Sequence, residues 1–182
     1  MLFNYKHISY FTARVIVDFE YYVLELKGKG RFLYYFSMHS FSEMILVPYS
    51  HVVGMDVLQV ENYADMFEIA VRGMDKLEER YGTKYRVGTS REILYEVTGT
   101  SFDWVKEVAK VPIVYCFELR DDGTYGFLLP PELMRENNLE VMDGLVEMDR
   151  IARHMEYYQS ASATTLVSLV LMLTVLFVQL IK

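Results

Sequence analysis

A single cysteine, Cys116, stands in 182 residues. This excludes an internal disulfide framework and any cysteine-rich zinc site. Positive charge is also scarce. The 18 Lys and Arg face 25 Asp and Glu, the net charge is −7, and the longest basic cluster is the turn at 27–29. A chain so charged has no electrostatic footprint for nucleic acid, and no nucleic-acid partner is expected. The first eleven residues (MLFNYKHISYF) lack the long apolar core and small-residue cleavage pattern of a secretion signal, so no signal peptide is read there. Apolar residues, by contrast, are plentiful. At 52% hydrophobic the chain is not disordered, and its length suits one domain with a real core.

Apolar positions 15, 16, 19, 22, 23 and 26 follow helical spacing until the glycine turn at 27–30 breaks it. The aromatic run 31–38 (RFLYYFSM) reads as a buried strand leading into His39, and 44–47 as a second strand stopped by Pro48. Asn62 stands as an N-cap and Gly82 as a C-cap around a helix with apolar face 63, 66, 67, 70, 74, 77 and 81. A weak strand at 85–87, short helices at 90–96 and 102–109, and a strand at 111–117 follow. Pro130 and Pro131 open a long helix to about 158, with 141, 145, 148, 152 and 155 as its inward stripe. Strands alternating with amphipathic helices predict an α/β layer fold.

The uncharged stretch 161–181, closed by Lys182, is long enough to span a bilayer and lacks the polar stripe of a core helix. It predicts a C-terminal hydrophobic transmembrane helix. A lipid-anchor signal is the alternative, suggested by the small residues Ser160, Ala161 and Ser162.

The strand at 111–117 is apolar throughout and delivers Glu118 into the turn of FELRDDGTYGFLLP (117–130). Taken alone, Glu118 reads either as an ion-paired structural acid or as a carboxylate poised at the strand end for chemistry. Two further segments stand with it, MHSFSEMILVPY (38–49) and LYEVTGTSFDW (94–104). In this order and spacing the three resemble the C-terminal half of the zinc metallocarboxypeptidases of the carboxypeptidase A/B type, a likeness running from about Thr12 to Met155. The resemblance implies a partial three-layer α/β/α carboxypeptidase-like domain with a mixed sheet over 12–158, preceded by a non-family-like 1–11.

Residue by residue, the resemblance implies that His39 is the zinc ligand lying furthest along the chain. Glu118 matches the catalytic glutamate, which takes a proton from zinc-bound water and passes it to the leaving amine. Ser40 and Phe41 would line the cleft, with Phe41 where a tyrosine is usual. Tyr95 matches the mobile tyrosine that closes over the substrate's C-terminus. Phe102 falls at the base of the side-chain pocket, which argues for apolar C-terminal residues, since a buried ammonium would need an acid there. Val97 and Thr100 would narrow that pocket, Cys116 would form its wall as a small filler, and Phe127 would border the cleft.

The family's first two zinc ligands come from an H-x-x-E pair, and none of the four histidines (His7, His39, His51 and His154) has a glutamate three residues on. The arginines that steady the oxyanion and clamp the terminal carboxylate are likewise absent. One ligand of three cannot hold a catalytic zinc. The expectation is a zinc exopeptidase acting on peptide C-termini, nearly inactive as this chain, truncated at its start and poorly stable alone. For the complete protein a membrane-anchored position on the extracellular face is expected. The alternative is a non-catalytic, membrane-anchored peptide-binding or interaction module.

Overall fold

The computed structural model describes residues 10–30, 32–51 and 60–158. Helix α1 (Tyr10–Gly28) precedes strands β1 (Tyr34–Ser40) and β2 (Met44–Val47). Helix α2 (Tyr63–Tyr81), strand β3 (Arg86–Thr89), and short helices α3 (Ser90–Ile93) and α4 (Ser101–Glu107) follow. Strand β4 (Ile113–Leu119), a 3-10 turn at Gly126–Leu128 and helix α5 (Pro131–His154) complete the order. The sheet runs β1-β4-β2-β3, with β1 parallel to β4, β2 antiparallel to β4 and β3 parallel to β2. It is therefore mixed, as the resemblance implies.

Side-chain alternation along the strands sorts the helices into two layers. Tyr115 donates its hydroxyl hydrogen to the Met66 carbonyl of α2 at 2.7 Å, and Tyr34 donates to Asp149 of α5 at 2.8 Å. Phe36 stacks between Tyr34 and Tyr115 on this same face. On the opposite face Tyr35 donates to Ser101 of α4 at 2.9 Å and meets Phe19 of α1 edge-on. The order α2 and α5, sheet, α1 and α4 is a three-layer arrangement. The apolar centre of β4, fully buried from Ile113 to Phe117, lies between the layers, as its sequence predicts.

Four expectations change. Strand β1 is half-buried to exposed rather than buried, because among the described residues β4 is its sole neighbour and its other edge is unpaired. The α2 face that enters the core is Met66, Ile69, Ala70, Gly73 and Leu77, while Tyr81 is exposed. Asn62 makes no capping bond. Its amide donates to the Pro112 carbonyl and the Tyr157 hydroxyl, and its carbonyl accepts from Lys106, so it joins three segments instead. Helix α3 ends at Ile93, short of 96, and a capping box between Thr89 and Glu92 starts it. Gly82 does cap α2, in the left-handed conformation with its N–H on the Glu78 carbonyl. Of the predicted N-terminal segment 1–11, residues 1–9 lie outside the described residues, as does the whole of 161–181. Among the described residues no helix is long and apolar enough to cross a membrane.

Helices α2 and α5 touch through glycine. A Cβ at Gly73 would sit 2.4 Å from Cγ of the fully buried Met148, and one at Gly144 would sit 3.0 Å from the Gly73 carbonyl oxygen. Gly73→Ala gains about 1 kcal/mol of helix propensity but forces Met148 off its place. Overpacking of this kind costs about 1–3 kcal/mol, so a net loss of stability in urea denaturation is expected for Gly73→Ala.

One buried ion pair ties the end of β4 to α5. Arg120 donates from Nε to Glu140 Oε1 at 2.7 Å and from Nη2 to Glu140 Oε2, and Nη2 also reaches Thr83 Oγ1 at 2.8 Å. Thr83 in turn donates to Glu140 at 2.7 Å, and the Glu140 side chain is fully buried. Arg120→Met would strand that carboxylate without a cation. Stability is expected to fall by about 3–5 kcal/mol, read from the urea midpoint, with much of the loss recovered in Arg120→Met/Glu140→Leu.

Candidate active site

Glu118 lies near the carboxyl-terminal end of β4, where burial gives way to partial exposure. In the parallel β1–β4 register its direct partner is His39, with Ser37 opposite Cys116 one step down on the same face. Parallel strands set such partners about 4.8 Å apart at the backbone. The sheet thus brings one imidazole and one carboxylate side by side from segments 79 positions apart in sequence. Burial raises the proton affinity of Glu118, and the adjacent His39 partly offsets this. The His39 ring is within hydrogen-bond distance of Ser37, Nε2 to Oγ 2.9 Å.

The loop from β1 to β2 crosses over the end of β4. Ser42 and Glu43 donate their N–H groups to the Leu119 carbonyl at 3.1 and 3.3 Å. This holds Ser40 and Phe41 beside the Glu118 end of the strand. Phe41 packs edge-on against Phe127, ring centroids 5.1 Å apart, so two residues named separately for the cleft do form one aromatic rim. The rim is shaped by a turn. Asp121 accepts N–H bonds from Gly123 (3.2 Å), Tyr125 (2.7 Å) and Gly126 (2.9 Å). Gly126 has φ +58, and a Cβ there would lie 3.1 Å from the Phe41 ring, so glycine satisfies both the backbone and the ring contact.

The residues expected at the side-chain pocket lie in or near α4 and on the strand face toward it. Phe102 and Cys116 are both buried, two residues of β4 below Glu118 in the case of Cys116. Burial, and then the nearby Glu118 charge, push the Cys116 thiol up to about 12, which leaves no thiolate at neutral pH and makes it a filler. Val97 and Thr100 meet at Ser50, whose hydroxyl oxygen is 3.1 Å from the Val97 carbonyl and 3.1 Å from Thr100 Oγ1. Tyr95 stands apart, 64% exposed on the segment after α3.

Three residues with no assignment from sequence are bonded to the expected site residues or to their neighbours. Ser50, itself bonded to Asp103, meets segment 97–100, and Ser37 lies within hydrogen-bond distance of His39. Ser37 was legible in principle, since a strand places positions 37 and 39 on one face. Asp103 lies in the S-x-DW motif itself, but nothing in the sequence pairs it with Ser50 across 53 positions.

The described residues do not make a complete zinc site. Among them no group of three His, Cys, Asp or Glu is placed to hold a metal ion. His51 is engaged with Asp103 at 2.8 Å, and His154 with the Arg150 carbonyl on its own helix. One imidazole next to one carboxylate falls short of the three protein ligands that a catalytic zinc requires.

This mixed α/β sheet sets a strand-end glutamate and histidine side by side, with buried Cys116 on the same face, and its class is given by the proteins it matches. The chain belongs to the zinc carboxypeptidase family, whose family model matches residues 12–144. Human carboxypeptidase O is 35% identical over 150 residues, covering 81% of this chain and 38% of that protein. A zinc carboxypeptidase of Simulium vittatum is 32% identical over 134 residues, covering 73% of this chain and 43% of that protein. Among solved structures, bovine thrombin-activatable fibrinolysis inhibitor, bound to a tick carboxypeptidase inhibitor, superposes with a TM-score of 0.66 at 26% identity, over 78% of this chain and 45% of that one. Carboxypeptidase A from Helicoverpa armigera gives 0.64 at 25% identity, over 78% and 34%. The chain therefore spans less than half the length of these relatives.

Burial pushes the Asp121 carboxyl up, but the N–H groups of Tyr125, Gly126 and Gly123 outweigh it and hold the group below its ordinary 3.8. A depressed carboxylate contributes stability above its unfolded pKa and loses it as pH falls through the folded value. Asp121→Ala should therefore speed amide exchange at Gly123, Tyr125 and Gly126 at neutral pH. Wild type and variant should converge well below pH 3.8.

Proposed function

We propose that this chain supplies the proton-handling and side-chain-recognising part of a zinc carboxypeptidase that releases apolar residues from peptide C-termini. The observation that carries the reading is the register pairing of His39 with Glu118 at the end of β1 and β4. A half-buried carboxylate with raised proton affinity is suited to accept a proton from an attacking water and return it to a leaving amine. Buried, apolar Phe102 at the expected pocket floor supports an apolar terminal side chain, and the adjacent Asp103 carboxylate is already occupied by Ser50 and His51. Ser40, Phe41, Val97, Thr100, Cys116 and Phe127 contribute the walls, and exposed Tyr95 is free to close over the peptide end. The domain occupies 12–158, and the uncharged run 161–181 is long enough to serve as a membrane tether.

Zinc binding calls for ligands beyond His39, so the chain by itself is inactive in this reading. A second reading, a membrane-anchored peptide-binding module without catalysis, draws support from the same shortage of ligands among the described residues. Calorimetric titration of the 182-residue chain with zinc should show no site tighter than about micromolar; a stoichiometric nanomolar site would overturn the claim of incompleteness. In a zinc-loaded form that cleaves peptides, Glu118→Gln should lower kcat by about 10²–10⁴-fold with zinc content unchanged. Retained turnover would refute the general-base role, and failure of every zinc-loaded form to cleave a Phe-terminated peptide would favour the binding module.

A further inference from the structure

The segment 94–100 carries Tyr95, Val97 and Thr100 yet has no regular secondary structure of its own. It is fastened at Ser50. The Val97 N–H donates to the Ser50 carbonyl at 2.9 Å, and Ser50 Oγ lies 3.1 Å from both the Val97 carbonyl and Thr100 Oγ1. Beneath it, Asp103 accepts the Ser50 N–H on both carboxylate oxygens at 3.1 Å, the Ser50 hydroxyl on Oδ2, and a bond from His51 Nδ1 at 2.8 Å. Ser50 is 0% and Asp103 5% exposed, so these bonds are not in competition with water.

A hydroxyl has one proton, and a carboxylate is a stronger acceptor than a peptide carbonyl. Ser50 therefore donates to Asp103, which turns its lone pairs toward the Thr100 hydroxyl. The direction of donation runs Thr100 to Ser50 to Asp103, with His51 donating to Asp103 from the other side. Because serine and histidine both address the same carboxylate, no imidazole nitrogen faces the serine hydroxyl, and the cluster lacks the serine–histidine pair of a nucleophilic triad. Asp103 also neighbours Phe102 in α4 and lies close enough to influence the Cys116 thiol. The fastening point is thus built into the pocket wall.

We propose that Ser50, Asp103 and His51 are positioning residues that fix segment 94–100, and with it the Val97 and Thr100 walls beside Phe102, so that they govern which terminal side chain the pocket accepts. The selectivity rests on the carboxypeptidase reading; the fastening of the segment does not.

The test is hydrogen exchange on the 182-residue chain carrying Ser50→Ala, the isosteric Thr100→Val, or both. Ser50→Ala should raise exchange of the 95–100 amides about tenfold, the size of one lost hydrogen bond, while β4 amides stay unchanged. Thr100→Val should act in the same direction, and the double variant should exceed Ser50→Ala little, because both remove one chain of bonds. Unchanged exchange at 95–100, an equal rise in β4, or fully additive effects would overturn the proposal. The companion readout is the preference for N-acetyl-phenylalanine over N-acetyl-alanine by chemical-shift titration, which should shrink in Ser50→Ala. A preference unmoved while the segment loosens would refute its control of selectivity. Binding of neither acid to the wild-type chain would count against the pocket reading, and the exchange result would still decide the positioning role.

Discussion

The buried pair of Arg120 and Glu140 is the constraint on which the arrangement of this domain turns. Glu140 is a fully buried carboxylate on α5, and such a group is tolerated only where a cation and further donors meet it. Arg120 provides a two-point match and Thr83 a third donor. The consequence is geometric. Arg120 is two residues beyond Glu118, so the requirement to satisfy Glu140 fixes where β4 ends and where the turn starting at Asp121 departs. Asp121 then gathers the N–H groups that set Gly126 and Phe127 against Phe41. Fold stability and cleft shape are thereby coupled through consecutive residues of one motif.

Sequence periodicity located most elements because it reports apolar faces, and it failed where the deciding residue is polar. The α5 stripe at 141, 148 and 152 was legible, whereas Asn137 and Glu140, buried on the same helix, were not. An acid in a helix ordinarily signals the solvent side, and only the distant Arg120 and Thr83 reverse that meaning. Asn62 shows the same limit. Its position before α2 fits an N-cap, but its amide serves Pro112, Tyr157 and Lys106, partners remote in sequence that no local pattern can announce. The shift of the α2 face toward Ile69 and Gly73 has a packing cause, the close approach of Gly144 and Met148.

The site was legible to a different extent. Glu118 could be placed near a strand end from the apolar run that precedes it, whereas Cys116 was named for a pocket wall through the family resemblance alone. His39 was named through the family resemblance, and its parallel register with Glu118 could not be read from a sequence separation of 79 positions. The supporting residues stayed hidden because each is defined by a partner in another segment. Ser50 faces Asp103 across the β2 exit and α4, and Ser37 acquires significance once the β1 register is known.

The energetic position of Glu118 differs from that of Glu140, Asp103 and Asp121. Structural acids here are saturated: Glu140 by Arg120 and Thr83, Asp103 by Ser50 and His51, Asp121 by turn amides. Glu118 instead lies where burial raises its proton affinity, with the neighbouring His39 as its offsetting influence. A carboxylate kept off-balance in this way destabilises the fold slightly at neutral pH, since the folded state disfavours the charge that the unfolded chain carries freely. Such a cost is consistent with a group reserved for proton transfer, and it would be relieved by a cation placed against the open side of Glu118 and His39. Glu43 is raised by burial in the same way, so what sets Glu118 apart is its register partnership with His39 rather than the shift alone.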